Sequence, residues 1–304
     1  FTASAAATKV IDMSAGAATL NLKGALTVPA ASSTLTAGTL GSIFNYADNS
    51  SSQTINYFSA GAYRNLHINT TGGTGATLSA AVTTSNVTGN IRVLSGTLNN
   101  GGFAIAGNAT GTLEVANGAF LKLGGTTSAF PTGFGTNTLG ASSTVDYNGS
   151  GAQTISAQNY GNLTTSLNGT RTITLANSGT IGIAGTFSPA GGATSYTNTG
   201  STVSFNGTGG SQNIPAFSFN NLTINNTSGV SLTGNVSVNG TTNALTFTNG
   251  LISTGANTLT LASPVTVSGA GAGKYVNGNL AWTMPAGTPT RTFPIGDASN
   301  YTPV

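Results

Sequence analysis

Cysteine is absent from the 304 residues, which excludes a disulfide framework, a thiolate metal site and a thiol nucleophile. Charge is nearly absent as well. Lys and Arg number eight and Asp and Glu five, 4% of the chain, against about 25% in ordinary domains. The cations (Lys9, Lys23, Arg64, Arg92, Lys122, Arg171, Lys274, Arg291) are scattered, without the cluster that a phosphate backbone requires, so nucleic acid is not an expected partner. No apolar run approaches the roughly 20 residues of a membrane-spanning helix. One histidine and no cysteine exclude zinc in practice, and the carboxylate-rich loops of a calcium site are missing. No cofactor is expected. No signal peptide is visible, and the chain begins at Phe1 rather than Met, so it reads as a window of a longer polypeptide or a processed form.

What remains is hydrophobic residues (38%), 44 glycines, and Thr, Ser and Asn in abundance. Disordered chains combine low hydrophobicity with high net charge; this one suits strands and tight turns instead. Alternation with period two dominates: Thr19-Leu20-Asn21-Leu22, Asn90-Ile91-Arg92-Val93, Arg171-Thr172-Ile173-Thr174-Leu175, Asn235-Val236-Ser237-Val238 and Thr258-Leu259-Thr260-Leu261 each place apolar side chains on one face. Gly, Asn and Ser separate these runs.

One phrase is written three times. It reads Ser42-x-Phe44-x-Tyr46, Gln53-Thr54-Ile55, Tyr63-x-Asn65-Leu66-x-Ile68. It returns as Ser143-x-Val145-x-Tyr147, Gln153-Thr154-Ile155, Tyr160-x-Asn162-Leu163-x-Thr165, and again as Ser201-x-Val203-x-Phe205, Gln212-Asn213-Ile214, Phe219-x-Asn221-Leu222-x-Ile224. Such self-similarity marks a stacked repeat architecture. A finer repeat lies inside it: Ile91-x-Val93-x-x-Gly96-x-Leu98 recurs 22 residues on as Leu113-x-Val115-x-x-Gly118-x-Phe120. Gln53 and Gln153 are 100 residues apart and Gln153 and Gln212 are 59 apart; the difference of 41 is close to two windings of about 20 to 22 residues. A solenoid tolerates insertion of whole windings, so the expected fold is all-β, a parallel β-solenoid of roughly 12 windings. Tandem antiparallel β-sandwiches are the alternative. Residues 1–264 carry the repeats. From 265 to 304 the texture changes, with Pro285, Pro289, Pro294 and Pro303 and the only Trp, Trp282; this stretch reads as a C-terminal β cap or the start of a further β domain.

The repeated phrase resembles that of the β-strand-repeat surface proteins of Bacteroidota and related bacteria. So does the closing Tyr275-Val276-Asn277-Gly278, Phe293-Pro294-Ile295-Gly296-Asp297, Tyr301-Thr302-Pro303-Val304. The resemblance covers residues from about 41 to 304. It implies a very long exported protein, often a cargo of the type IX system, displayed as an adhesin or surface fibre.

Candidate chemistry is sparse. His67, the only histidine, fills the slot of Thr164 and Thr223, which predicts a solvent-facing strand position rather than a ligand or a base. The acids are Asp12, Asp48, Glu114, Asp146 and Asp297. A glycosidase-like solenoid needs paired carboxylates in one cleft, whereas Asp146 matches Asn45 and Ser204 and reads as an exposed strand residue. Glu114 falls one winding after Arg92, so stacking predicts a surface ion pair. The aromatics Tyr46, Tyr147, Phe205, Tyr63, Tyr160 and Phe219 read as core rather than as a carbohydrate ladder, and their alternation between Tyr and Phe suggests that a hydroxyl is tolerated near the surface but not needed. Thr pairs (Thr34/Thr36, Thr172/Thr174, Thr246/Thr248, Thr258/Thr260) are the ice-binding pattern only when aligned in successive windings, and here they are sporadic.

No catalytic, metal or cofactor residue is therefore predicted. The expectation is a structural or adhesive segment (stalk, fibre or adhesin) of an extracellular cell-surface protein. Its partners would be neighbouring domains of the same polypeptide, copies of itself, surface glycans or other cells. A self-assembling filament subunit is the competing reading, followed by a polysaccharide-acting enzyme and an ice-binding protein.

Overall fold

Period-two runs become strands, and the Gly, Asn and Ser between them become corners. The computed structural model describes residues 9–28, 32–38, 41–71, 73–126, 128–287 and 290–304, so Phe1 and Pro289 lie outside the described residues. Every element among them is a strand. The chain divides into two compact units, Phe1–Gln153 and Thr154–Val304, and each is a parallel β-solenoid.

In the first unit one sheet takes a strand from each of six windings: Thr19–Leu22, Ile43–Tyr46, Asn65–Asn69, Ile91–Ser95, Thr112–Val115 and Thr136–Leu139. All pair in parallel, Leu20 beside Phe44, Phe44 beside Leu66, Leu66 beside Ile91 and Ile91 beside Leu113. A second face stacks Gln53–Ile55, Gly75–Leu78, Thr97–Asn99, Phe120–Leu123 and Thr144–Tyr147. A third begins with Lys9–Met13, Ser33–Ala37 and Ala60–Gly61 and goes on as isolated parallel bridges such as Tyr63 with Val87. Because alternate residues face inward, like positions stack into dry columns: Leu66, Ile91 and Leu113 form one, Ile68, Val93 and Val115 the next, all fully buried. Each such side chain contributes about 1.5–3 kcal/mol by leaving water.

The second unit repeats the plan with Asn159–Tyr160, Ile181–Ile183, Thr202–Phe205, Asn221–Asn225, Leu245–Asn249 and Val267–Ser268, again one strand per winding. The stretch after 264 also adds strands to a second parallel sheet: Val276–Trp282 pairs with Ile252–Leu261, and Ile295–Gly296 with Val276–Trp282. The guanidinium of Arg291 lies 4.7 Å from the centroid of the Trp282 ring and donates to the carbonyls of Ser263 and Val265. The last residues then fold back, with Phe293 and Val304 exchanging backbone hydrogen bonds.

Three details depart from the sequence reading. The finer repeat slips by one residue: Leu98 stands beside Leu121, not Phe120, and Phe120 faces outward at 46% exposure. Gly96 and Gly118 both turn in the left-handed region (φ 73° and 76°), but one extra residue separates Gly118 from Leu121, the register partner of Leu98. Next, the first two copies of the long repeat lie on different faces, Ile43–Tyr46 in the six-stranded sheet and Thr144–Tyr147 in the other. The third copy, Thr202–Phe205, lies in yet another sheet, so neither the 100- nor the 59-residue interval is a whole number of windings. Finally, the repeat's aromatics are core, as expected, but their hydroxyls are not near the surface. The Tyr46 and Tyr63 hydroxyls meet inside at 3.1 Å, and that of Tyr63 donates to the Asn56 carbonyl. Burial pushes Tyr46 up to about 12.

Candidate functional site

The most informative side chains are those of the repeated phrase, and its glutamine does the same thing three times. Gln53 Nε2 donates to the carbonyls of Leu22 and Gly24, at 3.1 and 2.7 Å. Gln153 Nε2 donates to Leu123 and Ser128, at 2.9 and 2.8 Å, and Gln212 Nε2 to Ile183 and Gly185, both at 2.8 Å. In each case the Oε1 accepts a backbone N–H just upstream, from Asp48, Gly149 or Gly207. All three glutamines are buried. The amide thus fastens its own winding back to the preceding one. In the first two copies the repeat's asparagine reaches the other way, Asn65 Oδ1 accepting from Asn90 N–H and Asn162 Oδ1 from Thr186 N–H, whereas Asn221 donates back to the Thr202 hydroxyl. Its serine closes the corner, Ser143 and Ser201 each donating through Oγ to the carbonyl three residues back.

Among the described residues, Gln53–Ile55 and Gln212–Ile214 are each the outermost strand of their sheet, paired on one side. The amide adds a second bond to a carbonyl that already accepts a backbone N–H, Leu22 from Ala47 and Ile183 from Asn206, and takes up the carbonyl of Gly24 or Gly185 as well. Aromatic rings fill the widened interior: Phe44, Tyr57, Phe58 and Tyr63 around the first copy, and Phe187, Tyr196, Phe205, Phe217 and Phe219 around the third.

A hollow opens on another face of each unit, ahead of the repeat's second aromatic. In the first unit, about 620 Å³ lies between Thr34–Gly38 and Gly61–Ala62, just ahead of the repeat's Tyr63. In the second, about 550 Å³ lies between Pro189–Asn198 and Pro215–Ser218, just ahead of the repeat's Phe219.

His67 is on the outward face, as the Thr in its slot elsewhere predicts, yet only 9% of it is exposed. Its neighbours in register are Asn45 and Arg92, so the solvent-facing assignment is corrected: longer side chains in adjacent windings cover it. Burial first, and then the charge of Arg92, hold its pKa down to about 4. The row continues to Glu114, whose carboxylate lies 3.3 Å from Arg92 Nε, the predicted ion pair.

The remaining acids are dispersed. Asp48 is 7% exposed, and the hydroxyl and amide of Ser50, with the Ser51 hydroxyl, hold its carboxyl down to about 2. Asp146 stands in register beside Lys122, a juxtaposition hidden in the sequence because the spacing is 24 residues rather than 22. The Ser14 hydroxyl and then its amide lower Asp12, and the Ser299 and Asn300 amides lower Asp297. Among the described residues no three His, Asp or Glu side chains gather into a metal-binding group. The Thr pairs do not propagate: Thr258 and Thr260 face Asn279 and Ala281. Neither a family model nor a curated protein nor a solved structure matches the chain.

Proposed function

We propose that the chain is a structural and adhesive segment of a large extracellular bacterial surface protein, a stalk, fibre or adhesin. One observation carries the reading. The phrase that the sequence writes three times is used inside the fold: Gln53, Gln153 and Gln212 fasten successive windings, and the repeat's aromatics fill their interior. A sequence that repeats its fastenings while its outer rows vary between Asn, Thr, Ser, Lys and Arg is organised to extend a scaffold. The chain has no cysteine, so no disulfide holds its windings together. Its partners would be adjoining domains of the same polypeptide, copies of itself, or surface glycans.

Antibodies raised against the folded chain test this on intact cells of the organism that makes it. Labelling of intact cells, lost after external protease treatment, is the expected outcome. Labelling only after permeabilisation would overturn the assignment.

A further inference from the structure

We propose that the hollow between Thr194–Thr197 and Pro215–Ser218 binds an extended, uncharged polypeptide segment from another protein, which adds a strand to the free edge of Thr194–Thr197. The inference stands apart from the scaffold reading, because it rests on one interruption of the ladder and not on where the protein resides.

Thr194–Thr197 is the last strand of its sheet, paired only with Arg171–Leu175. The strand that follows one winding later, Phe217–Phe219, pairs with Val236–Val238 instead. One side of Thr194–Thr197 therefore presents backbone N–H and C=O groups with no ladder partner among the described residues. A row of alternating donors and acceptors at strand spacing is matched by another extended polypeptide.

The walls specify what kind. None of the lining residues carries a charge, so an ionised segment would lose its hydration without compensation. Tyr196 and Phe217 meet edge to face with centroids 5.0 Å apart, and Pro189 and Pro215 flank them, an apolar seat for one inward side chain of the guest.

The seat is braced beforehand. The Tyr196 hydroxyl is held by the Thr165 hydroxyl at 2.7 Å and the Ala190 carbonyl at 3.2 Å, and the Asn198 amide closes one end by donating to the Ser218 carbonyl. A rigid site loses little ordering entropy when occupied. The corresponding hollow of the first unit shows that the opening belongs to the repeat. There the two-residue strand Ala60–Gly61 covers Thr34 and Leu35 but leaves Thr36 and Ala37 open.

The test is titration of the full chain, isotope-labelled for amide NMR, with the capped peptide acetyl-Thr-Val-Ser-Val-Thr-amide. Saturable shifts confined to residues 194–198 and 215–218, with or without 34–38 and 61–64, are expected. A version N-methylated at alternate residues should bind at least about tenfold more weakly. Ala216→Trp, which fills the hollow, should abolish the shifts at 194–198 while the melting temperature stays unchanged. If that variant misfolds, the methylated peptide still decides. Equal binding of the methylated peptide, or shifts elsewhere, would overturn the proposal. So would broadening of the same amides with protein concentration alone, which would assign the hollow to a second copy of the chain. Shifts there from a neutral cello-oligosaccharide but not from the peptide would assign it to a glycan.

Discussion

Nε2 of Gln212 donates to the carbonyl oxygen of Ile183 across 2.8 Å, joining residues that are 29 apart in sequence and one winding apart in space. The same side chain satisfies Gly185 O and Gly207 N–H. Gln212→Leu keeps the bulk and strands the Gly185 carbonyl and the Gly207 N–H, each worth about 1–3 kcal/mol when left unmet, while the Ile183 carbonyl keeps its bond from Asn206 N–H. The second unit should lose roughly 2–5 kcal/mol in urea unfolding. The exposed neighbour Asn213→Ala is the control and should cost under about 0.5 kcal/mol. Equal losses from the two would remove the glutamine as a fastening.

The slipped register predicts opposite behaviour for adjacent residues. Leu121 is fully buried and Phe120 is 46% exposed. Leu121→Ala should destabilise by about 2–5 kcal/mol through the cavity that it leaves, while Phe120→Ser should change stability by under about 1 kcal/mol. Denaturation midpoints compare the two, and a larger loss at Phe120 would restore the 22-residue register.

His67 makes stability depend on pH. Its folded pKa of about 4 lies below the ordinary 6.5, so the unfolded chain binds the proton first. Stability is complete above 6.5, declines as the pH falls from 6.5 to about 4, and gains no further slope from this group below that. His67→Thr, which restores the residue of the equivalent slots, should flatten the curve across that interval. An unchanged slope would place the titration elsewhere. The Asp48 carboxyl, held near 2, acts in the window below, where protonation removes its bonds to Ser50 and Ser51.

Arg92 and Glu114 should couple weakly. Both side chains are partly exposed, and pairs of this kind contribute about 0–1 kcal/mol. A double-mutant cycle with Arg92→Ala and Glu114→Ala should find a coupling in that range that vanishes in about 1 M salt, where the screening length is near 3 Å. Coupling that survives salt would mean that the pair is shielded.

The winding itself was legible, because alternation such as Arg171 to Leu175 leaves a strand one dry face, and nothing between strands has helical period. The Arg92–Glu114 contact followed from the same stacking. Register was not legible at Phe120, where a single added corner residue exchanges the two faces. The burial of His67 was hidden too, since Thr164 and Thr223 reveal its direction but not the length of Arg92 beside it. A missing ladder has no composition of its own, so the hollows at Thr36 and Tyr196 emerged from pairing alone.

Because the chain has no cysteine, engineered disulfides read the stacking directly. Thr223 and Thr246 are register partners on adjacent windings, and parallel neighbours at about 4.8 Å lie within disulfide reach. The pair Thr223→Cys with Thr246→Cys should oxidise rapidly and completely within one chain, while Thr223→Cys with Thr260→Cys, on another sheet, should remain reduced. The reverse pattern, or no crosslink in the first pair, would contradict parallel windings held in this register.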